Sequence, residues 1–234
     1  AALRAFSQAL ESGLAGDSAW DPRLSLGMSR VALQLDQPEI AIAALQEIAQ
    51  SDHPTPQVHR TLSEAYAAIH LPEEALEAAR AAVQLAPDDV ATLAWFADQA
   101  LLLGSRKEAI SALTRAVQLD PQRIRLLLRL GEVFSQTRDQ EAAREVYHQV
   151  LSSPTAQPDH LYQAALALLD LADTAAAIQC LERALKLQPK PSLALLRDLA
   201  AAYQKEGDSE RALDTLDRAI HLEPDDAAMH TLKA

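Results

Sequence analysis

Small and large apolar residues recur along this chain in columns spaced 34 positions apart. One column of small residues runs Ala41, Ala75, Ala109, Ala143 and Ala177 in steps of 34, and continues at Ala212 after a step of 35. The extra residue falls at Lys190-Pro191-Ser192, a loop in which an insertion costs little. A second column reads Ala82, Ala116, Val150, Ala184 and Ala219. A third reads Ser29, Ser63, Ala97, Gly131, Ala165 and Ala200, each followed three residues later by Ala32, Tyr66, Ala100, Phe134, Leu168 or Tyr203. Pro87, Pro121, Pro189 and Pro224 form another column, interrupted by His53 and Thr155.

Nothing alternates with period two for long, and the apolar mass is largely Ala and Leu, the strongest helix formers. The chain therefore reads as all-α, with two helices in each period. First helices are predicted at about 22–35, 56–69, 90–103, 124–137, 158–171 and 193–206. Second helices are predicted at about 39–51, 73–86, 107–120, 141–153, 175–188 and 210–223. A helical hairpin cannot bury its apolar face alone, so neighbours stack into a continuous core. Small residues at the crossings let helix axes approach to roughly 8–10 Å. Proline after a second helix ends it, because its ring lacks an N–H and disfavours helix in the residue before. Gly104 and Gly207 sit where the chain turns between helices and suit a left-handed residue. His70 and Arg138 hold that position in other repeats.

This register resembles the tetratricopeptide repeat family, whose pattern places Leu, a small residue, Tyr, Ala and Pro at fixed offsets in 34 residues. The fullest matches are Leu93, Phe96, Ala97, Ala100, Gly104, Ala109, Leu113, Ala116 and Pro121, and Leu196, Leu199, Ala200, Tyr203, Gly207, Ala212, Leu216, Ala219 and Pro224. The resemblance covers about residues 22 to 226. It implies a right-handed superhelical solenoid of antiparallel helix pairs with about six complete repeats. The expected organisation is a single array over 1–234. Residues 1–21 hold the second helix of a truncated upstream repeat, spanning Ala1 to Leu14, and a loop. Repeats follow at 22–55, 56–89, 90–123, 124–157, 158–192 and 193–226, and a further one begins at 227–234.

Charge and composition narrow the function. The net charge is −12, which argues against nucleic acid and anionic membrane surfaces, since both demand basic faces. No apolar run is long enough to span a bilayer. A lone cysteine, Cys180, excludes an internal disulfide framework and favours a reducing compartment, hence a cytoplasmic location. The seven histidines form no metal-ligand pattern, so no metal or other cofactor is expected. Cys180 lies mid-helix with no implied base, and reads as a packed thiol. Asp88-Asp89 and Asp225-Asp226 follow prolines and precede first helices, where carboxylates cap N-termini. No phosphate-binding loop and no nucleophile–base constellation is present, so the chain is not expected to be an enzyme.

The family resemblance also implies that first helices line a concave groove. Residues at groove-facing positions include Arg30, Arg60, Glu64, Trp95, Asp98, Arg125, Arg129 and Tyr162. Arginine beside an aromatic ring is the usual make-up of an interface hot spot. Some family members clamp acidic C-terminal tails of cytosolic chaperones with Lys and Asn. Arg60, Arg125 and Arg129 occupy positions of the basic clamp residues, whereas Glu64 and Trp95 replace the two asparagines. The expected function is a protein–protein interaction scaffold that binds a peptide or extended partner segment, with acidic ligands favoured. The alternative is a regulatory or structural array inside a larger multidomain enzyme or signalling protein, contacting that protein's other domains. Apolar surface at the two ends further predicts end-to-end self-association.

Overall fold

The computed structural model describes residues 22–51, 54–188, 190 and 192–222. The helix expected over Ala1–Leu14 and the unit expected to begin at 227 lie outside the described residues. Twelve α-helices are present among the described residues. In chain order they are α1 (Pro22–Gln34), α2 (Pro38–Ala49), α3 (Pro56–Ala68), α4 (Pro72–Leu85), α5 (Val90–Leu102) and α6 (Arg106–Leu119). There follow α7 (Ile124–Gln136), α8 (Gln140–Ser152), α9 (Pro158–Asp170), α10 (Thr174–Leu187), α11 (Leu193–Glu206) and α12 (Ser209–Leu222). Second helices expected at 39 and 73 begin one residue earlier, at Pro38 and Pro72. Proline suits that first position because its φ is already helical and its missing N–H would have had no partner.

The chain divides into two compact units, one ending at Ala116 and the other beginning at Val117, within α6. In each, apolar columns become the core. Ala41, Ala75, Ala109, Ala143, Ala177 and Ala212 are buried, as are Ser29, Ser63, Ala97, Gly131, Ala165 and Ala200. In the first unit Ala32, Leu45, Ile48, Val58, Leu62 and Ala65 form one cluster. In the second, Leu196, Ala200, Leu216 and Ala219 form another.

All six hairpin turns are built alike. Asp36, His70, Gly104, Arg138, Ala172 and Gly207 each have positive φ, between 57° and 87°. The N–H of the next residue returns to the carbonyl five residues back, as Gln37 to Ala32, Leu71 to Tyr66, Ser105 to Ala100, Asp139 to Phe134, Asp173 to Leu168 and Asp208 to Tyr203. The N–H of the left-handed residue itself bonds the carbonyl three back. These paired bonds satisfy the last carbonyls of the first helix. In three of the turns the same closing residue then caps the second helix. The Asp139, Asp173 and Asp208 carboxylates accept from the N–H groups of Ala142, Ala176 and Arg211.

Polar contacts tie consecutive repeats together. In the first unit Arg80 grips Glu108 through Nε and Nη2 at 2.9 and 2.6 Å, and Arg115 reaches Asp88 at 2.7 Å. In the second, Arg144 donates twice to the Leu171 carbonyl, and His148 Nε2 lies 2.8 Å from Asp173 Oδ2. Arg183 donates to the carbonyls of Leu151 and Ser153 at the C-terminal end of α8.

Candidate protein-binding surface

The first helices carry the side chains singled out by the repeat register. In the first unit Arg60, on α3, lies over the ring of Trp95, on α5, with its guanidinium carbon 4.7 Å from the ring centre. The two residues lie on consecutive first helices at adjacent repeat positions, and both are half-buried. A cation over an indole is worth roughly 0.5–1 kcal/mol where water has access. Glu64, one turn beyond Arg60, is exposed and forms no ion pair with it among the described residues. Arg30 is exposed and Asp98 half-buried.

In the second unit a cleft of about 750 Å³ opens between α7 and α9. Arg125, Leu128, Arg129 and Glu132 line it from α7, and Asp159, His160 and Gln163 from α9, with Gln157 just before that helix. Arg125 and Arg129 are exposed, one turn apart on the same helix face. His160 Nδ1 accepts the backbone N–H of Gln157 at 3.3 Å, which fixes the imidazole at the cleft edge. The floor includes Tyr147, which comes from the second helix α8. Its ring reaches the cleft because Gly131 has no side chain to block it: a Cβ there would stand 2.7 Å from the ring. Burial pushes the Tyr147 hydroxyl up from its ordinary pKa.

Tyr162 does not line this cleft. Its hydroxyl donates to Asp198 Oδ2 at 2.6 Å, joining α9 to α11, while Arg197 Nε holds the other carboxylate oxygen at 3.0 Å. Burial, and then the Asp198 carboxylate, push its pKa up to about 12. Arg60, Glu64, Trp95 and Asp98 thus belong to the first unit, and Arg125, Arg129 and Tyr162 to the second. Tyr147 was hidden from a reading of first helices alone. Its signal was Gly131, the one glycine in the small-residue column.

Cys180 is fully buried, and burial pushes its thiol up to about 12, so it carries no thiolate near neutrality. Among the described residues no three His, Cys, Asp or Glu side chains converge as metal ligands. No helix among the described residues is long and apolar enough to cross a membrane.

Comparison with known proteins places this geometry. Profiles described as tetratricopeptide repeat match residues 26–90, 100–169 and 168–234. The chain belongs to the tetratricopeptide repeat family. It is 25% identical over 203 residues to the TPR repeat-containing protein YpiA of Bacillus subtilis (strain 168), covering 87% of this chain and 48% of that protein. The chain thus spans about half the length of this curated relative. Among solved structures it resembles the C-terminal part of a TPR repeat-containing protein from Cytophaga hutchinsonii, with a TM-score of 0.71 at 13% identity, covering 100% of this chain and 93% of that one. It also resembles a chain in the structure of Naa15/Naa10 bound to HypK-THB, with a TM-score of 0.64 at 18% identity, covering 89% of this chain and 32% of that one. These likenesses establish the fold as an all-α helical repeat solenoid. Tetratricopeptide repeat proteins are in general non-catalytic scaffolds, and the repeats of this chain mark it, in general terms, as a protein-interaction scaffold.

Proposed function

We propose that the chain holds an extended segment of a partner protein against its first-helix side, with acidic or carboxylate-terminated segments preferred. The observation that carries this reading is the cleft between α7 and α9, whose α7 wall presents Arg125 and Arg129. Guanidinium groups offer paired donors that match a carboxylate, and Gln157 and Gln163 can bond the backbone of an extended chain. Glu132 and Asp159 line the same cleft and would set the register of an acidic ligand by repelling misplaced carboxylates. In the first unit the Arg60–Trp95 pair offers a flat aromatic and cationic surface of the kind that anchors interfaces. The net charge of −12 opposes an acidic ligand at long range, so affinity would rest on short contacts, and the repulsion would slow association rather than shorten residence time.

The test uses acidic peptides ending in a free carboxylate, titrated against the chain and against Arg125→Ala/Arg129→Ala. The reading expects at least a tenfold loss of affinity with an unchanged melting curve. Intact affinity, or a lowered melt without loss of binding, overturns it. The length of YpiA favours a second reading, in which the docked segment belongs to the same polypeptide. Crosslinking in the full-length protein separates intramolecular from intermolecular docking.

A further inference from the structure

Two grooves on the second-helix side occupy the same place in the repeat, four repeats apart, and differ in chemistry. In the second unit a groove of about 410 Å³ lies against α10, α11 and α12, with Glu182, Tyr203, Arg211 and Asp214 in its lining. In the first unit a groove of about 260 Å³ lies against α2, α3 and α4, with Gln46, Tyr66, Glu74 and Glu77 in its lining. By register Gln46 corresponds to Glu182, Tyr66 to Tyr203, Glu74 to Arg211 and Glu77 to Asp214.

The later groove contains its own cation. The Arg211 guanidinium carbon lies 4.7 Å from the centre of the Tyr203 ring. Its Nη1 is 3.3 Å from Glu182 Oε1, an oxygen that also accepts the Tyr203 hydroxyl at 2.6 Å. Its Nε donates to Asp208 at 2.6 Å. A guanidinium lying on a tyrosine and held by carboxylates is therefore what this site of the repeat accommodates.

The earlier groove keeps the tyrosine and lacks the cation. Gln46 Nε2 donates to the Tyr66 hydroxyl at 3.1 Å, so the ring is again tied to the preceding second helix, here with the tyrosine as acceptor where Tyr203 is the donor. Where Arg211 would stand there is Glu74. Glu74 and Glu77 are both exposed, and neither is hydrogen-bonded or ion-paired among the described residues. Arg80 is close enough to feel the Glu77 charge, but its guanidinium is committed to Glu108. His59, also in the lining, is held by burial below its ordinary pKa and adds no positive charge at neutral pH. Ala81 stands where Arg218 lines the later groove, so the wall here carries no cation at that position.

We propose that this first groove is a docking site for a basic segment of a partner protein, with an arginine of that segment lying on Tyr66 beside Glu74 and Glu77 as Arg211 lies on Tyr203. Charge complementarity selects the occupant: two exposed carboxylates outside any ion pair among the described residues, on a chain of net charge −12, draw basic segments from a distance. Arginine is favoured over lysine because a planar guanidinium both stacks on the ring and offers paired donors. This site is lined from α2, α3 and α4, shares no residue with the cleft between α7 and α9, and does not depend on it.

The probe is a peptide of alanines with one central arginine and two flanking lysines, acetylated and amidated at its ends. Companion peptides carry citrulline or lysine in place of the arginine. They are titrated against the 234-residue chain while its amide resonances are followed. The expected result is that the arginine peptide shifts Tyr66, Glu74 and Glu77, and that the citrulline peptide binds at least tenfold more weakly. Glu74→Arg, which supplies the missing guanidinium internally, should abolish binding at least tenfold with the fold intact. Should that variant be perturbed, Glu74→Gln/Glu77→Gln makes the same test by removing charge alone. Unchanged affinity in these variants, equal binding of citrulline and arginine peptides, or shifts gathered on α7 and α9 instead, overturns the proposal.

Discussion

The ring of Tyr147 occupies the space that a side chain on Gly131 would need, its nearest atom 2.7 Å from where a Cβ would be. One residue is on a first helix and the other on the second helix of the same hairpin. The ring is buried only because the glycine is there.

Gly131→Ala should therefore destabilise the chain even though alanine is the better helix former by about 1 kcal/mol. Overpacking of this kind costs about 1–3 kcal/mol. Adding Tyr147→Leu should recover part of the loss, since the clash is with the outer ring atoms. Urea melts of the two single variants and the double give the coupling. Additive effects would show that the two residues do not compete for space.

The left-handed turn residues make a prediction of opposite sign. Ala172 has φ of 60°, a conformation costing a side-chain-bearing residue roughly 1–2 kcal/mol. Ala172→Gly should stabilise by about 0.5–1 kcal/mol after the extra freedom of glycine in the unfolded chain is subtracted. Gly104→Ala should destabilise by a similar amount. A Cβ at Gly104 meets nothing within 4 Å, so the effect there is purely of the backbone. Thermal melts of both variants check the pair of signs.

Arg183 closes the end of α8 by donating to the Leu151 and Ser153 carbonyls. Hydrogen bonds from a charged donor are worth about 1.5–3 kcal/mol, and a helix C-terminus attracts positive charge. Arg183→Met keeps much of the packing and removes the donors. It should lower stability within that range and raise amide exchange in the last turn of α8. An unaltered exchange rate there would show that the carbonyls find other partners.

Titration should be asymmetric about neutrality. The Arg80 guanidinium holds Glu108 below its ordinary pKa, and the Thr92 hydroxyl and N–H do the same for Asp89. A depressed carboxylate contributes stability that is present above its unfolded pKa, about 4, and is lost as pH falls through its lower folded value. Tyr162 is the reverse case, raised to about 12 by burial and by Asp198. Its contribution is present below the ordinary phenol value near 10 and is lost as pH rises towards 12. Between these windows the half-buried His59, whose pKa is lowered, adds a fall in melting temperature as pH drops below about 6.5. The buried Cys180 thiol, raised to about 12, adds one as pH rises past about 9, so the steady range lies around pH 7 to 8. Asp89→Asn should flatten the acid fall and Tyr162→Phe the alkaline one.

Much of the fold was readable because the repeat imposes the same packing demand at each step. Ala41, Ala75, Ala109, Ala143, Ala177 and Ala212 could be placed at crossings from spacing alone, and all are buried. The turns were only half readable. Gly104 and Gly207 announced a left-handed residue, whereas Asp36 and Ala172 adopt the same conformation without any signal of their own, held by the hydrogen bonds on either side. On the candidate surface, the family resemblance put Arg60 and Trp95 at groove-facing positions of consecutive first helices, and in the structure the guanidinium lies over the ring. The destination of Tyr162 was not readable, because its partner Asp198 lies in the next repeat and a hydrogen bond between repeats leaves no periodic trace. The likeness between Tyr66 and Tyr203 is periodic, yet its meaning appears only when Arg211 is seen lying on one of them.

The shared turn geometry has a kinetic side. Asp139, Asp173 and Asp208 each end one helix and start the next, so the two helices of a hairpin are joined by a link of only two or three residues. Closing so short a link takes little of the chain's freedom, and contacts between near neighbours in sequence form early. Each hairpin can therefore be sampled on the microsecond scale of helix formation and collapse, ahead of the slower docking of one hairpin on the next. Folding has several equivalent starting points, and a residue that slows it most should lie where hairpins meet one another, not where they turn.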